Sequence, residues 1–124
     1  MLSYLYIFIG GGLGAVSRFG VGKVIFRFTG DSFPFGTLAS NVLSCLVMGG
    51  ILYSSMGAKW LTEDLKLLLI VGFCGGFSTF STFSMDTLNL FRNGQHLMAA
   101  LNILVSVIIC FVILYLMVQK QKVV

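Results

Sequence analysis

Four long apolar runs, separated only by short polar connectors, dominate the 124-residue sequence. They cover roughly residues 2–28, 35–56, 65–91 and 97–118. A helix needs about 20 apolar residues to cross a bilayer. Backbone groups in lipid must bond within their own segment, so spans of this kind are helical. The expected fold is an all-α integral membrane protein with four transmembrane helices, one domain over residues 1–124. Charged residues make up 10% of the chain, against about 25% in soluble domains. That excludes most soluble enzymes and disordered tails. The net charge of +4 invites a polyanionic partner, but the Lys and Arg residues are scattered and form no basic stripe. The expectation is a lipid bilayer and no nucleic acid. The apolar N-terminus has no preceding basic region and reads as a retained span. Cys45, Cys74 and Cys110 stand alone in apolar stretches, without metal-ligand spacing, and read as small buried side chains.

Orientation is undecided by charge. Four spans put the N-terminus, the second connector and the tail on one side, with Lys59, Lys66, Lys120 and Lys122. The other side has Lys23, Arg27 and Arg92. Four against three gives the positive-inside rule almost nothing to act on. Either loop geometry hides the signal, or the chain inserts both ways and pairs as an antiparallel dimer. Four short helices are also few to enclose a polar path, which favours an oligomer.

Small residues recur at helical spacing. Gly10 and Gly14 form one pair and Gly72 and Gly76 another; Gly36, Ser40 and Ser44 share a face, with Asn41, Cys45 and Gly49 on the next. Such stripes serve close helix packing. Gly10, Gly12 and Ala15 fit a loose dinucleotide pattern, but within an apolar span and with no strand before them, so the match is set aside.

Polar groups inside a span are costly and mark packing contacts or pathways. Arg18, in the C-terminal half of span one, either snorkels to an interface or faces an aqueous vestibule. Asn41, in span two, offers two amide donors and a carbonyl, for a helix contact or for a path. Asn102 and Ser106 lie four apart on span four with Cys110 next on the stripe; that track serves equally for packing.

Span three is more specific. Residues 72–84 read GFCGGFSTFSTFS, with a Phe-Ser-Thr repeat after two adjacent glycines. Gly75-Gly76 at mid-span weakens the helix and favours a break there. Ser78, Thr79, Ser81, Thr82 and Ser84 can satisfy backbone groups that a break releases. A broken helix with ion-binding carbonyls is a recurrent transport device. Phe77, Phe80 and Phe83 add rings whose positive edges attract an anion weakly. Asn41, Ser81 and Thr82 supply neutral donors, whereas a cation filter wants carbonyls or carboxylates. Of the acids Asp31, Glu63, Asp64 and Asp86, only Asp86 falls inside a span or its vestibule. The one histidine, His96, sits in a turn with no evident acid–base partner, so catalysis is not expected.

The stretch 72–84 closely resembles the signature of the Fluc, or CrcB, fluoride channels. Gly11 to Phe19, ending GAVSRF, and Gly36 to Asn41, GTLASN, resemble that family's first- and second-span motifs. The likeness runs in order along essentially the whole chain. It implies a dual-topology antiparallel homodimer of four-helix subunits with two antiparallel pores, exporting fluoride passively across the bacterial inner membrane. It also implies a broken third helix whose carbonyls, at Gly75 and Ser78, hold a structural Na⁺ shared by both subunits. Phe80 and Phe83 then line the pores, and Asn41 approaches them from span two. Ser81, Thr82, Asn102 and Ser106 belong to the ion path, and Arg18 lies near an entrance. Departures are Ser78 for a frequent Thr, Asn102 for a common Tyr, Cys110 for a small or hydroxyl residue, and Asp86 for a frequent Glu. The rival of similar size is a dual-topology proton-coupled multidrug transporter. It requires a carboxylate in span one, where this chain has none.

Overall fold

The computed structural model describes residues 1–119; Lys120 and Lys122 of the charge count lie outside the described residues. Helix α1 spans Leu2–Thr29 and α2 spans Phe35–Ser54. The third span starts as α3 (Glu63–Lys66) and continues as a π-helical segment over Leu67–Cys74. It returns to α geometry in α4 (Gly75–Phe77), breaks, and resumes as α5 (Phe80–Arg92). Helix α6 spans His96–Val118. Four helical spans are long and apolar enough to cross a membrane, as the apolar runs require.

The ends follow local chemistry. Gly30, at φ 66°, ends α1, and its N–H donates to the Phe26 carbonyl at 2.9 Å. A residue with a Cβ is strained there. Thr62 caps α3 by accepting the Leu65 N–H at 3.3 Å, and Glu63 and Asp64 follow in the first turn, where the helix dipole favours negative charge.

Close packing centres on α1 against the third span. A Cβ on Gly10, Gly14 or Gly76 would run into the backbone of Leu68, Phe73 or Gly11 respectively. One on Gly72 would lie 2.9 Å from the Gly10 Cα. Lipid supplies no hydrophobic drive for helices to associate, so backbone-to-backbone contact of this kind is the main source of attraction. Both small-residue pairs therefore meet each other across one interface.

This corrects the expected position of the break. Gly75 and Gly76 remain helical, with Gly75 at φ −63°, ψ −37°. The chain leaves the helix at Ser78 (φ −81°, ψ 160°) and Thr79 (φ −153°, ψ 122°). Gly76 is locked against α1 by its missing Cβ, so closeness rather than flexibility is what glycine contributes there.

Helix α2 lies between α1 and α6. A Cβ on Gly36 would sit 3.1 Å from the Gly22 Cα, and one on Gly49 would sit 2.6 Å from the Met117 Sδ. Among the described residues, α5 packs on α6 and α2 and not on α1. Cys74 is buried, Cys45 and Cys110 are half-buried, and all three are free thiols.

Candidate functional site

The break is held open by side chains that take the place of the helix's own acceptors. In a continuous α-helix the Thr79 N–H bonds the Gly75 carbonyl, and the Thr82 N–H bonds the Ser78 carbonyl. Here the Thr79 N–H donates to Asn41 Oδ1 at 2.8 Å, and Asn41 Nδ2 donates back to the Thr79 carbonyl at 3.4 Å. The Thr82 N–H donates to Thr79 Oγ1 at 3.2 Å, the N-cap bond of α5. The Gly75 and Ser78 carbonyls are thus among the four, residues 75–78, that lose their helical donors at the break. By contrast, the Cys74 carbonyl accepts the Ser78 N–H at 3.0 Å, Ser78 Oγ at 2.9 Å and Ser44 Oγ at 2.9 Å. That bond set ends α4 firmly and ties it to α2.

Past the break, Ser81 Oγ lies 3.5 Å from Thr79 Oγ1, and the Ser81 and Thr82 side chains are exposed. The rings of Phe80 and Phe83 lie one turn apart with centroids 5.9 Å from each other, tilted by 42°. Phe80 is 80% exposed and Phe83 is half-buried. Asn41, Ser81 and Thr82 therefore converge on Thr79, and the two rings flank that point on the same short helix.

A cavity of about 940 Å³ opens beside it, between α1, α2 and α5. Arg18, Lys23 and Arg27 line it from α1, with Asp31 in the connector and Thr37, Thr79, Thr82 and Asp86 completing the wall. Arg18 is half-buried and lines this wall. Asp86 Oδ2 accepts the Thr37 hydroxyl at 2.6 Å. Lys23 Nζ sits 5.1 Å from the Phe19 ring centroid, a cation–π distance. Among the described residues the one ion pair is Lys66–Glu63 at 2.7 Å. No carboxylate neutralises Arg18 by direct contact, and the vestibule carries three cations against two acids.

Asn102 and Ser106 lie apart from that cavity. Both are buried, Asn102 to 1% exposure. Ser106 Oγ donates to Asn102 Oδ1 at 3.4 Å, and Asn102 Nδ2 donates to Thr87 Oγ1 at 2.9 Å. Thr87 in turn donates to the Phe83 carbonyl at 2.8 Å. The track is thereby joined to α5 through a residue that sequence reasoning passed over. Thr37 was legible only as part of a motif, although it stands four residues before Asn41, one turn along the same face. His96, at the start of α6, is exposed and meets the Phe91 ring edge-on at 4.5 Å.

The chain matches the family model described as CrcB-like protein, Camphor Resistance (CrcB), over residues 5–118. The chain belongs to the CrcB family. Curated relatives agree along nearly full length. One from Dehalococcoides mccartyi, named fluoride-specific ion channel FluC, is 41% identical over 112 residues, 90% of this chain and 86% of its own. A FluC of Magnetococcus marinus is 40% identical over 111 residues, covering 90% of each chain. A FluC of Geobacter metallireducens is 36% identical over 122 residues, covering 98% of each. Residues 72–84, within the matched range, are the stretch that the fold breaks and caps, and Thr79 and Thr82 of it line the adjoining cavity.

Proposed function

We propose that this CrcB protein is a fluoride-selective passive channel of the cytoplasmic membrane, which exports fluoride and so limits its toxicity. The observation that carries this reading is the cluster at the break: neutral donors on Asn41, Ser81 and Thr82, beside two phenyl rings and a net-positive vestibule. Full-length similarity to proteins named fluoride-specific channels supports it. The role is transport and not catalysis.

The chemistry follows from the donors. Asn41 has two amide N–H groups; one is spent on the Thr79 carbonyl, and the other remains for an anion. The Ser81 and Thr82 hydroxyls are exposed at the same level. Replacing water around a small anion with several neutral donors avoids a fixed counter-charge that would trap it. The ring edges of Phe80 and Phe83 add a weak attraction of the right sign. Arg18, unpaired in the vestibule, raises the local anion concentration. Asn102 and Ser106 are assigned to the same path, through their hydrogen-bonded connection to the Phe83 carbonyl. A membrane potential negative inside drives an anion outward by about 2.3 kcal/mol per 100 mV. Fluoride that enters as neutral HF and dissociates inside is thereby returned without a pump.

The working unit in this reading is an antiparallel homodimer with two opposed pores, consistent with the four-against-three balance of basic residues. A structural Na⁺ at its centre would be held by the Gly75 and Ser78 carbonyls. Those carbonyls fit the role because their helical donors have been diverted to Asn41 and Thr79. Bound there, the ion would supply positive charge beside the broken third span. The multidrug-transporter alternative gains nothing from the fold, since the carboxylates by the vestibule, Asp31 and Asp86, lie outside span one.

The test is purified protein in liposomes loaded with fluoride or chloride. Fast fluoride efflux without chloride efflux is the expected result; equal release of both, or no fluoride release, refutes the reading.

A further inference from the structure

Helix α5 carries both phenyl rings, yet it begins immediately after two non-helical residues and lacks contact with α1 among the described residues. Such a helix can swing about Ser78–Thr79 unless something fixes it. From α2, Asn41 holds its first turn and Thr37 donates to Asp86 Oδ2 in the next, which leaves its α6 side to be fixed. One turn later the only polar tie to α6 among the described residues is Thr87, which donates to the Phe83 carbonyl and accepts from Asn102 Nδ2.

We infer that Thr87 is a positioning residue for the Phe83 ring, acting as the two-sided pin by which the buried Asn102–Ser106 pair of α6 sets the angle of α5. A threonine in a helix often bonds the carbonyl four residues back, a local contact that by itself fixes nothing outside the helix. Here the hydroxyl's acceptor side is also filled, by an amide 1% exposed whose own oxygen accepts Ser106. Among the described residues no buried side-chain nitrogen or oxygen is without a partner, so the chain of bonds from buried Asn102 and Ser106 through half-buried Thr87 ties α6 to the Phe83 backbone. Apolar helix faces slide past one another in lipid at little cost, whereas a buried hydrogen-bonded chain has one register. The carbonyl it ends on belongs to the residue whose ring flanks the proposed path, so the inference rests on that channel reading.

The test uses the full chain in liposomes and a spectroscopic probe of the ring. Thr87→Val removes the pin with little change in volume, and Thr87→Ser keeps the hydroxyl. Thr87→Val is expected to lower fluoride flux about tenfold, with Thr87→Ser restoring it to within about twofold of wild type. In parallel, 4-fluorophenylalanine incorporated at position 83 should give one ¹⁹F resonance in the wild-type and Thr87→Ser backgrounds, and a broadened or split one with Thr87→Val. Wild-type flux and a single unshifted resonance with Thr87→Val overturn the inference, as does failure of Thr87→Ser to rescue. If wild-type protein conducts no fluoride, the channel reading falls while the ¹⁹F spectra still decide whether Thr87 pins the ring.

Discussion

Asn41 has two duties that one pair of substitutions separates. Its Oδ1 accepts the Thr79 N–H at 2.8 Å, and one of its amide protons points to the Thr79 carbonyl at a weaker 3.4 Å. Thr79 is buried. Asn41→Leu leaves its N–H without an acceptor, at a cost of about 1–3 kcal/mol. For a chain of this size that corresponds to a melting temperature lower by roughly 4–12 °C. Asn41→Asp keeps an oxygen for the same N–H, so its melting temperature should fall much less. It removes the amide donors, however, and adds negative charge beside the proposed path. A unit charge about 4 Å from a passing anion opposes it by about 4 kcal/mol at an effective dielectric of 20. Allowing for partial screening and protonation, fluoride flux should fall at least about a hundredfold. The assays are thermal unfolding in detergent followed by size-exclusion elution, and fluoride-electrode efflux from liposomes. Wild-type stability in Asn41→Leu refutes the hydrogen-bond accounting at the break. Wild-type flux in Asn41→Asp refutes the assignment of neutral donors to the path.

Changing Phe80 or Phe83 to Ile should cut fluoride conduction while the protein still elutes as the wild type does; unchanged flux removes the ring-edge explanation. Gly76→Ala places a methyl group into the Gly11 carbonyl, and should cost about 1–3 kcal/mol as an overpacked contact, read as loss of monodisperse protein on size exclusion. Gly12→Ala on the same helix, where a Cβ meets nothing, should elute normally. Exchanging Na⁺ for a bulky organic cation should lower the protein's thermal stability if the Gly75 and Ser78 carbonyls hold the ion; identical melting in both media argues against that site.

Much of this protein can be read before any fold is known, and the particular residues show why. The four spans follow from run length alone, because lipid leaves a backbone no alternative to bonding with itself. Their ends shift by only a few residues: the second span stops at Ser54 and the third starts at Glu63. The stretch 72–84 announces a break and its hydroxyls announce what satisfies it. The small-residue pairs announce close contact, though not with which partner.

Where the break falls was decided by tertiary contact. Gly75-Gly76 has the weaker helix propensity, but α1 holds Gly76 in helical geometry, and Asn41, 38 residues earlier, captures the Thr79 amide. A local scale sees neither neighbour. That Arg18 lines a cavity beside the break was invisible before three separate helices came together. Thr87 looked like an unremarkable helical threonine until α6 placed Asn102 against it. Sequence sets where polar groups must exist in a membrane, because their cost there is local and large. Which groups answer one another depends on helices distant in the chain, and only their packing brings donor to acceptor.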